Sequence, residues 1–233
     1  MSKALHKEIS EDNDMNIIEA RGISKSFNQR KIIDNFDIDI EENSFTVIMG
    51  PSGSGKTTLL NLLGILEKAD KGIIKVAGLK NVKPFSRKAE MLLRNKIGFL
   101  FQEFALVENE TVSYNLKLAL EYVKGDKKSL IKNALDKVGL SNYESKMIYE
   151  CSGGEQQRIA LARLLLKPCE IIMADEPTGS LDENNRNLVC EFLKELHRPS
   201  LMWYLNRKIW KAEITTLSVI STRMETEWHI LRE

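Results

Sequence analysis

The stretch Gly50-Pro51-Ser52-Gly53-Ser54-Gly55-Lys56-Thr57-Thr58 decides the fold of this chain. It has the spacing G-x-x-x-x-G-K-[ST], in which glycines let backbone N–H groups curl around phosphate oxygens. Within the pattern, Lys56 neutralises phosphate charge and the Thr57 hydroxyl can ligate Mg²⁺. Chance matches to the pattern occur in chains that bind no nucleotide, so the surrounding sequence has to support the interpretation.

The sequence on both sides of the loop supports nucleotide binding. Residues Ser44–Met49 are a short apolar run rich in β-branched and aromatic side chains, typical of a buried parallel strand, and the run ends at the loop. A helix beginning near Gly55 is expected to direct its positive dipole end at the loop. The leucines expected to face a sheet are Leu59, Leu60, Leu62, Leu63 and Leu66. The loop is therefore predicted to bind ATP or GTP, and removal of the Lys56 charge should abolish tight binding.

Strand-like and helix-like patterns alternate along the rest of the chain. Further strands are predicted at Gly72–Val76, Ile97–Phe101 and Ile171–Ala174, which indicates an α/β layered core with right-handed crossovers. Between Phe104 and Leu166 a helical period replaces the strand signal. Ile131, Ala134, Leu135 and Val138 fall on one helix face, and Gly139 is placed to end that helix. This segment is interpreted as a helical subdomain inserted in the core.

Composition limits the classes of protein that the chain can belong to. Its 233 residues are 42% hydrophobic and 29% charged, which fits one globular domain, and the net charge of +1 offers no global basic field for nucleic acid. Cys151, Cys169 and Cys190 form no C-x-x-C pair and suit a reducing cytosol. The first residues, Met1–Asn16, are polar, and no apolar run approaches the roughly 18 residues that cross a bilayer. We therefore expect a cytosolic chain with any membrane role supplied by a partner.

A second stretch, residues 151–158 (CSGGEQQR), indicates which kind of nucleotide protein this is. By itself it predicts a loop-to-helix transition, with Ser152 as N-cap and Glu155 completing a capping box. An apolar strand and the pair Asp175-Glu176 follow closely. Carboxylates directly after an apolar strand are costly unless they have partners or a function, although two solvated acids at a strand end are the plain alternative.

Taken together, the phosphate loop, residues 151–158 and the acidic pair resemble the ATP-binding cassette (ABC) ATPases, from about Asn16 to Leu196. The resemblance implies a P-loop NTPase (RecA-like) core of α/β class with an inserted helical subdomain. In that family the signature motif of one subunit caps the ATP held by the phosphate loop of another. A second helix N-terminus then meets the γ-phosphate only when two copies enclose the nucleotide. ATP, Mg²⁺ and a second copy of the chain are the implied ligands and partner.

The resemblance implies a role for each matching residue. Those expected at ATP are Phe27, Gly50, Pro51, Ser52, Gly53, Ser54, Gly55, Lys56, Thr57, Thr58 and Gln102. Those expected to cap ATP from the other subunit are Ser152, Gly153, Gly154, Glu155 and Gln156. Thr57, Gln102 and Asp175 are expected at Mg²⁺, and Glu176 is expected to polarise the attacking water. Ser180, Leu181 and Asp182 resemble the loop that communicates across the dimer. Gln102 can also be a solvated side chain, and Phe27, expected to stack on adenine, can instead be a packing residue.

Within the family, the motifs look most like the exporter branch that handles antimicrobial peptides, bacteriocins or lipoproteins. The resemblance implies a separately encoded integral-membrane permease as partner, contacted around Gln102. It also implies a cytoplasmic position, peripheral on the inner face of the cell membrane. Cys151 stands where the family usually has Leu, a change that keeps the residue apolar.

The resemblance breaks in the C-terminal tail. Cassette ATPases continue with one more core strand that ends in a histidine at the γ-phosphate, but Arg207 and Lys208 stand near the expected position. All three tryptophans lie beyond Leu201. We interpret the chain as a polar tail (1–15), a cassette domain (16–198, with the helical subdomain at about 104–167) and a divergent tail (199–233) with an atypical final strand region. Residues from about Arg198 onward are read as out of frame or otherwise altered, and a genuinely divergent tail is the alternative.

The tail affects mechanism more than identity. A missing core strand would leave an unpaired sheet edge and predicts aggregation. A missing histidine would remove one phosphate contact, which commonly costs on the order of 10²-fold in rate. Three functions remain open: the ATPase subunit of an exporter, a nucleotide-binding cassette with impaired or no hydrolysis, and a soluble cassette acting on DNA or ribosomes. The third is ranked lowest, because such proteins usually carry tandem cassettes or long coiled-coil insertions, and this sequence shows neither.

Overall fold

A computed structural model describes residues 16–175, 200–206 and 218–223 of the chain. The strands are β1 (Asn16–Phe27), β2 (Arg30–Glu41), β3 (Ser44–Gly50), β4 (Lys71–Val76), β5 (Leu79–Lys80), β6 (Ile97–Leu100), β7 (Ile171–Asp175), β8 (Ser200–Asn206) and β9 (Ser218–Arg223). The helices are α1 (Lys56–Leu63), α2 (Arg87–Asn95), α3 (Val112–Ala119), α4 (Lys127–Lys137) and α5 (Gly153–Leu165), with a 3₁₀ turn at Ile148–Glu150.

The larger sheet carries the phosphate loop. Its strand order is β6-β7-β8-β3-β9, parallel except for β9, which runs antiparallel to β3. All five residues of β7 are buried, as expected for a parallel strand covered on both faces. The parallel register brings the carboxyl ends of these strands to one edge, with Gly50 opposite Asn206 and Asp175 opposite Tyr204. The α/β prediction and all four predicted strands are confirmed, although β6 ends at Leu100 instead of Phe101.

The smaller sheet was not predicted. It is antiparallel, in the order β2-β1-β4-β5, and only β4 of its strands was expected from the sequence. The signal that marks β2 is the alternation of buried Ile38 and Ile40 with exposed Asp37 and Asp39, a period of two. Asn28 and its neighbour Gln29 join β1 to β2 with positive φ angles of 45° and 66°, which suits a tight hairpin turn.

The expectation of a missing core strand is wrong. Strand β8 lies between β7 and β3 and pairs in parallel with both. Its sequence, SLMWYLN, contains no β-branched residue, but it is rich in the apolar and aromatic residues that favour a central strand. The unpaired edge, and the aggregation inferred from it, therefore do not follow. The division of the chain at residues 15 and 198 stays a prediction.

Helix α1 is shorter than predicted. Leu59, Leu60, Leu62 and Leu63 are buried as expected, but the helix ends at Leu63 and Leu66 lies beyond it. Gly64 caps the end where the Phe99 ring approaches its Cα so closely that a side chain there would clash. The next residue, Ile65, has a φ of 62°, so the backbone cannot continue the helix.

Two apolar clusters lie on opposite faces of the larger sheet. Ile171 and Met173 of β7 pack with α1 and the smaller sheet, whereas Ile172 and Ala174 pack with α3, α4 and α5. In α4, Ile131, Ala134 and Leu135 face this second cluster as predicted. Gly139, with a φ of 69°, follows the buried cap residue Val138 and ends the helix. None of the helices in the described segments is long and apolar enough to span a membrane.

Candidate functional site

The phosphate loop has a backbone that only glycine tolerates at its end. Gly53 and Gly55 have φ angles of 75° and 93°, in the left-handed region that other residues rarely adopt. A Cβ on Gly55 would lie 2.7 Å from Cγ2 of Ile32, so strand β2 closes that side of the loop. Ser54 N donates to Pro51 O at 3.2 Å, which turns the loop into α1. The loop and the first turn of α1 therefore form a compact concavity of the kind that binds anions.

Lys56 places a positive charge inside this loop. The residue is only 2% exposed. Its Nζ donates to Gly50 O at 2.8 Å and to Pro51 O at 2.6 Å, with Ser54 Oγ at 3.4 Å. A buried ammonium is tolerated only where such acceptors surround it. The fold thus holds the ammonium at the centre of the loop, where the sequence pattern predicted it.

Thr57 and Asp175 meet beside the loop. Thr57 Oγ1 donates to Asp175 Oδ1 at 3.5 Å, a long contact between the start of α1 and the end of β7. Asp175 is 8% exposed, whereas Thr57 is exposed. A hydroxyl and a carboxylate at the mouth of a phosphate loop are the oxygen donors that Mg²⁺ prefers, together with substrate phosphates and water. These two residues therefore fit a magnesium ion.

Gln102 lies at the same edge of the sheet. It follows β6, the neighbour of β7, and occupies a turn in which Phe104 N donates to Phe101 O at 3.0 Å. Its side chain is exposed. The sheet order therefore puts Gln102 on the side of Asp175, and its contact with Mg²⁺ stays a prediction.

Phe27 is not a packing residue. It ends β1, is 43% exposed, and has Lys25 Nζ 4.9 Å from its ring centroid. Phe27 precedes the turn of the β1–β2 hairpin. This hairpin reaches the phosphate loop, because Ile32 of β2 packs against Gly55. The alternative of a core role is therefore wrong, and stacking on adenine stays a prediction.

The signature stretch begins helix α5. Ser152 is the N-cap, and its Oγ accepts from Glu155 N at 3.3 Å while Ser152 N donates to Glu155 Oε2 at 2.7 Å. The predicted capping box is confirmed. Ser152 and Gly153 are exposed, and a Cβ on Gly153 would meet nothing within 4 Å. The helix thus presents an uncovered N-terminus within the described part of the chain, whereas Gln156 Nε2 is turned back to Ile148 O and Cys151 O at 3.3 and 3.1 Å.

Two residues that the sequence analysis missed hold Glu155. Tyr143 OH donates to its Oε1 at 2.5 Å, and Lys146 Nζ lies 3.2 Å from its Oε2. The Tyr143 hydrogen bond, followed by those from Ser152 N and Lys146, lowers the pKa of Glu155 to about 2. Tyr143 and Lys146 belong to the loop before the 3₁₀ turn, and no pattern marks them, because their partner is met only through the fold. The carboxylate charge at the start of α5 is thereby paired with a cation.

Several predicted residues lie outside the described ranges. These are the proposed catalytic Glu176, the loop residues Ser180, Leu181 and Asp182, and Arg207 and Lys208, near which the histidine was expected. Their roles stay predictions.

The geometry first defines a class. The carboxyl edge of the parallel sheet carries a strand, phosphate loop and helix with a buried lysine, and an aspartate ends a strand two positions along the sheet. These are features of P-loop nucleotide-binding proteins. Residues 33–179 match the family described as ABC transporter. The chain belongs to this family, and the resemblance seen in the motifs is confirmed.

The relatives include both exporters and an importer. The macrolide export ATP-binding/permease protein MacB of Mannheimia succiniciproducens is 36% identical over 190 residues, which are 78% of this chain and 30% of MacB. The ABC transporter ATP-binding protein YxdL of Bacillus subtilis is also 36% identical, with 78% of this chain and 74% of YxdL covered. The spermidine/putrescine import ATP-binding protein PotA of Acetivibrio thermocellus is 37% identical over 78% of this chain and 51% of PotA. The chain thus spans about a third of the length of the MacB relatives. Their similarity agrees with the resemblance to the exporter branch.

Solved structures confirm the fold. The dimeric structure of MJ0796, a bacterial ABC transporter cassette, is 30% identical with a TM-score of 0.73, and 80% of this chain and 87% of that one are covered. A dimeric post-hydrolysis state of MJ0796 bound to ADP and Pi has the same TM-score at 29% identity, covering 82% and 88%. The core is therefore the P-loop NTPase core of an ABC cassette, as the sequence predicted.

Proposed function

We propose that the chain is the ATP-binding subunit of an ABC exporter and that it hydrolyses ATP, with Mg²⁺, at a head-to-tail interface between two copies. The work of hydrolysis drives a separate integral-membrane permease. The observation that carries this proposal is the pairing, in one chain, of two complementary half-sites. One is the loop around buried Lys56, and the other is the exposed N-terminus of α5.

The loop residues bind the triphosphate. Backbone N–H groups of the loop residues other than Pro51 surround the phosphates, and the Lys56 ammonium neutralises their charge. Thr57, Asp175 and Gln102 would hold Mg²⁺, which neutralises charge on the phosphates when it is bound. Phe27 offers an exposed ring on which adenine stacks. Each of these groups lies at the carboxyl edge of the sheet or in the hairpin beside it.

The second copy supplies the cap. The Ser152 hydroxyl and the N–H groups of Gly153 and Gly154 form the positive end of a 13-residue helix. A carboxylate at position 155 would repel phosphate, but Lys146 and Tyr143 hold it and offset its charge. The MJ0796 structures are dimers, which supports the same pairing of copies here. Ser180, Leu181 and Asp182 are proposed to join this interface.

Glu176 is the proposed general base. In the sequence it directly follows Asp175, the residue that ends β7 at the phosphate edge of the sheet. There it would accept a proton from the water that attacks the γ-phosphorus.

The permease partner and the direction of transport rest on the relatives. MacB is named as an ATP-binding and permease protein in one, and this chain matches 30% of it. We infer that a separate permease contacts the surface around Gln102 and holds the chain at the cytoplasmic face of the membrane. Because PotA is an importer of similar identity, export rests on the motif resemblance and the MacB relatives.

A second candidate is a cassette that binds ATP and hydrolyses it weakly or not at all. One feature of the sequence favours this candidate. The family's histidine at the γ-phosphate is expected near Arg207 and Lys208, but neither these residues nor their neighbours are histidines. Loss of one such contact commonly costs on the order of 10²-fold in rate.

Two measurements on the full chain test both candidates. Binding of a fluorescent ATP analogue and steady-state ATP turnover are compared for the wild type, Lys56→Ala and the exposed control Lys80→Ala. The exporter ATPase predicts binding and turnover that Lys56→Ala removes and Lys80→Ala keeps. Binding without turnover, alone or with a copurifying permease, supports the second candidate. No binding by the wild type refutes both.

A further inference from the structure

The turn that carries Gln102 is held by a side chain of another element. Arg163 donates from Nη1 to Ala105 O and from Nη2 to Phe104 O, both at 2.6 Å. The two nitrogens of one planar guanidinium thus bind two consecutive carbonyls, an arrangement that lysine cannot reproduce with a single ammonium. Burial lowers the pKa of Arg163, so these carbonyls also replace water that the cation has lost.

The carbonyls that Arg163 binds belong to an unusual piece of backbone. Phe104 and Ala105 have φ angles of 60° and 47°, in the left-handed region that residues with a Cβ rarely adopt. Two such residues in a row persist only where the surroundings hold them. Phe104 also closes the turn around Gln102 through its N–H to Phe101 O. The Arg163 fork therefore fixes the backbone two and three residues after Gln102.

Arg163 also belongs to the helix that starts at the signature stretch. It lies in the last turn of α5, whose first turn is capped by Ser152. The same end of α5 packs on β6, since Leu164 lies so close to Gly98 that a Cβ there would clash. One rigid helix thus connects the proposed capping end, at Ser152, with the turn of Gln102.

We propose that Arg163 is a positioning residue that ties the Gln102 turn to α5, so that Gln102 moves with the signature end of the helix when the site closes on ATP. This inference rests on the proposed function, because it assigns the coupling between two parts of that site. Arg163 does not touch the nucleotide. It acts through Gln102.

The first test is a double-mutant cycle on turnover by the full chain, with the permease if turnover requires it. The variants are Arg163→Lys, Gln102→Ala and the double variant. Arg94→Lys is the matched control, because Arg94 lies in α2 with its guanidinium 4.4 Å from the Tyr122 ring. We expect Arg163→Lys to lower kcat roughly tenfold, to raise the Mg²⁺ concentration for half-maximal rate, and to change ATP affinity less than about twofold.

The outcome in the Gln102→Ala background decides the mechanism. If Arg163 acts through Gln102, the lysine substitution has less than about a twofold further effect there. The proposal is overturned if the two substitutions lower kcat by independent factors that multiply in the double variant. It is also overturned if kcat in Arg163→Lys equals kcat in Arg94→Lys.

The second test does not require turnover. Hydrogen exchange is measured at residues 101–106 and 50–58 with and without MgATP. In the wild type, ATP should slow exchange in both segments, whereas in Arg163→Lys it should slow only the 50–58 segment. Equal slowing at 101–106 in both proteins overturns the role of Arg163. No slowing at 50–58 in the wild type instead refutes the proposed function and the inference that rests on it.

Discussion

Thr57 Oγ1 and Asp175 Oδ1 lie 3.5 Å apart although 118 positions separate the two residues in the chain. The contact joins the first turn of α1 to the end of β7, with β8 between β7 and the strand that precedes the loop. The parallel sheet brings the two oxygens together, because the carboxyl ends of its strands share one edge. The contact makes this pair the best-defined part of the proposed magnesium site.

Asp175→Asn should reduce the Mg²⁺ dependence of ATP binding. The amide keeps the shape of the side chain but removes the charge that attracts the cation, so turnover should fall on the order of 10²-fold while ATP binding in EDTA stays unchanged. Nucleotide titrations with and without Mg²⁺ measure the effect, and Asp34→Asn, an exposed aspartate paired with Lys31, is the control. Equal Mg²⁺ dependence in Asp175→Asn and the wild type contradicts the assignment.

Gly55→Ala should destabilise the fold as well as the loop. A Cβ at this position meets Ile32 at 2.7 Å, and the φ of 93° is unfavourable for alanine. We expect a loss of about 1–3 kcal/mol in the free energy of unfolding, measured in urea, together with loss of ATP binding. Gly153→Ala is the contrast, since its Cβ has open space; its unfolding free energy should change by less than about 0.5 kcal/mol. Similar stability of the two variants would show that the contact with Ile32 is not limiting.

Glu155 should stabilise the protein in a pH-dependent way. Its pKa is about 2 in the folded chain against an ordinary 4.5, because it accepts hydrogen bonds from Tyr143, Ser152 N and Lys146. The folded state therefore holds fewer protons than the unfolded state between these values. The stabilisation is complete above about pH 4.5 and is lost as the pH falls toward 2.

The comparison of wild type with Glu155→Gln isolates this contribution. Urea unfolding of both proteins between pH 3 and pH 7 should show a stability difference that shrinks as the pH falls. Since other carboxylates titrate equally in both proteins, a difference that is constant over this range would contradict the prediction.

Phe27→Ala should weaken ATP binding with little effect on stability. The ring is 43% exposed, so its removal forfeits little core packing but removes the surface offered to adenine. A loss of one stacking contact corresponds to about 0.5–1.5 kcal/mol, or roughly 2- to 13-fold in affinity. Phe27→Trp should retain binding, and Phe85→Ala, at a fully exposed ring, is the control. Unchanged affinity in Phe27→Ala would remove Phe27 from the site.

The sequence predicted the elements that are encoded locally. The run that ends at Gly50, the helix after it and the capping box of Ser152 and Glu155 depend on residues within a few positions of one another. Family resemblance then assigned roles that no local pattern can supply. The prediction failed at α1, which ends before Leu66 because Ile65 adopts a left-handed φ of 62°. It also failed at β8. The sequence lacks the histidine that follows this strand in the family, but the strand still pairs with β7 and β3.

By itself, the sequence determined the phosphate loop and the helix cap, since glycine spacing, Lys56 and the capping residues act through backbone geometry over a few positions. The resemblance of these motifs to the ABC family then identified the cassette. Only the tertiary structure decided which distant groups meet. Thr57 reaches Asp175, Tyr143 and Lys146 hold Glu155, and Arg163 holds the Gln102 turn. These contacts arise from strand order and helix packing. Both are set by burial of the two apolar clusters and not by any local motif.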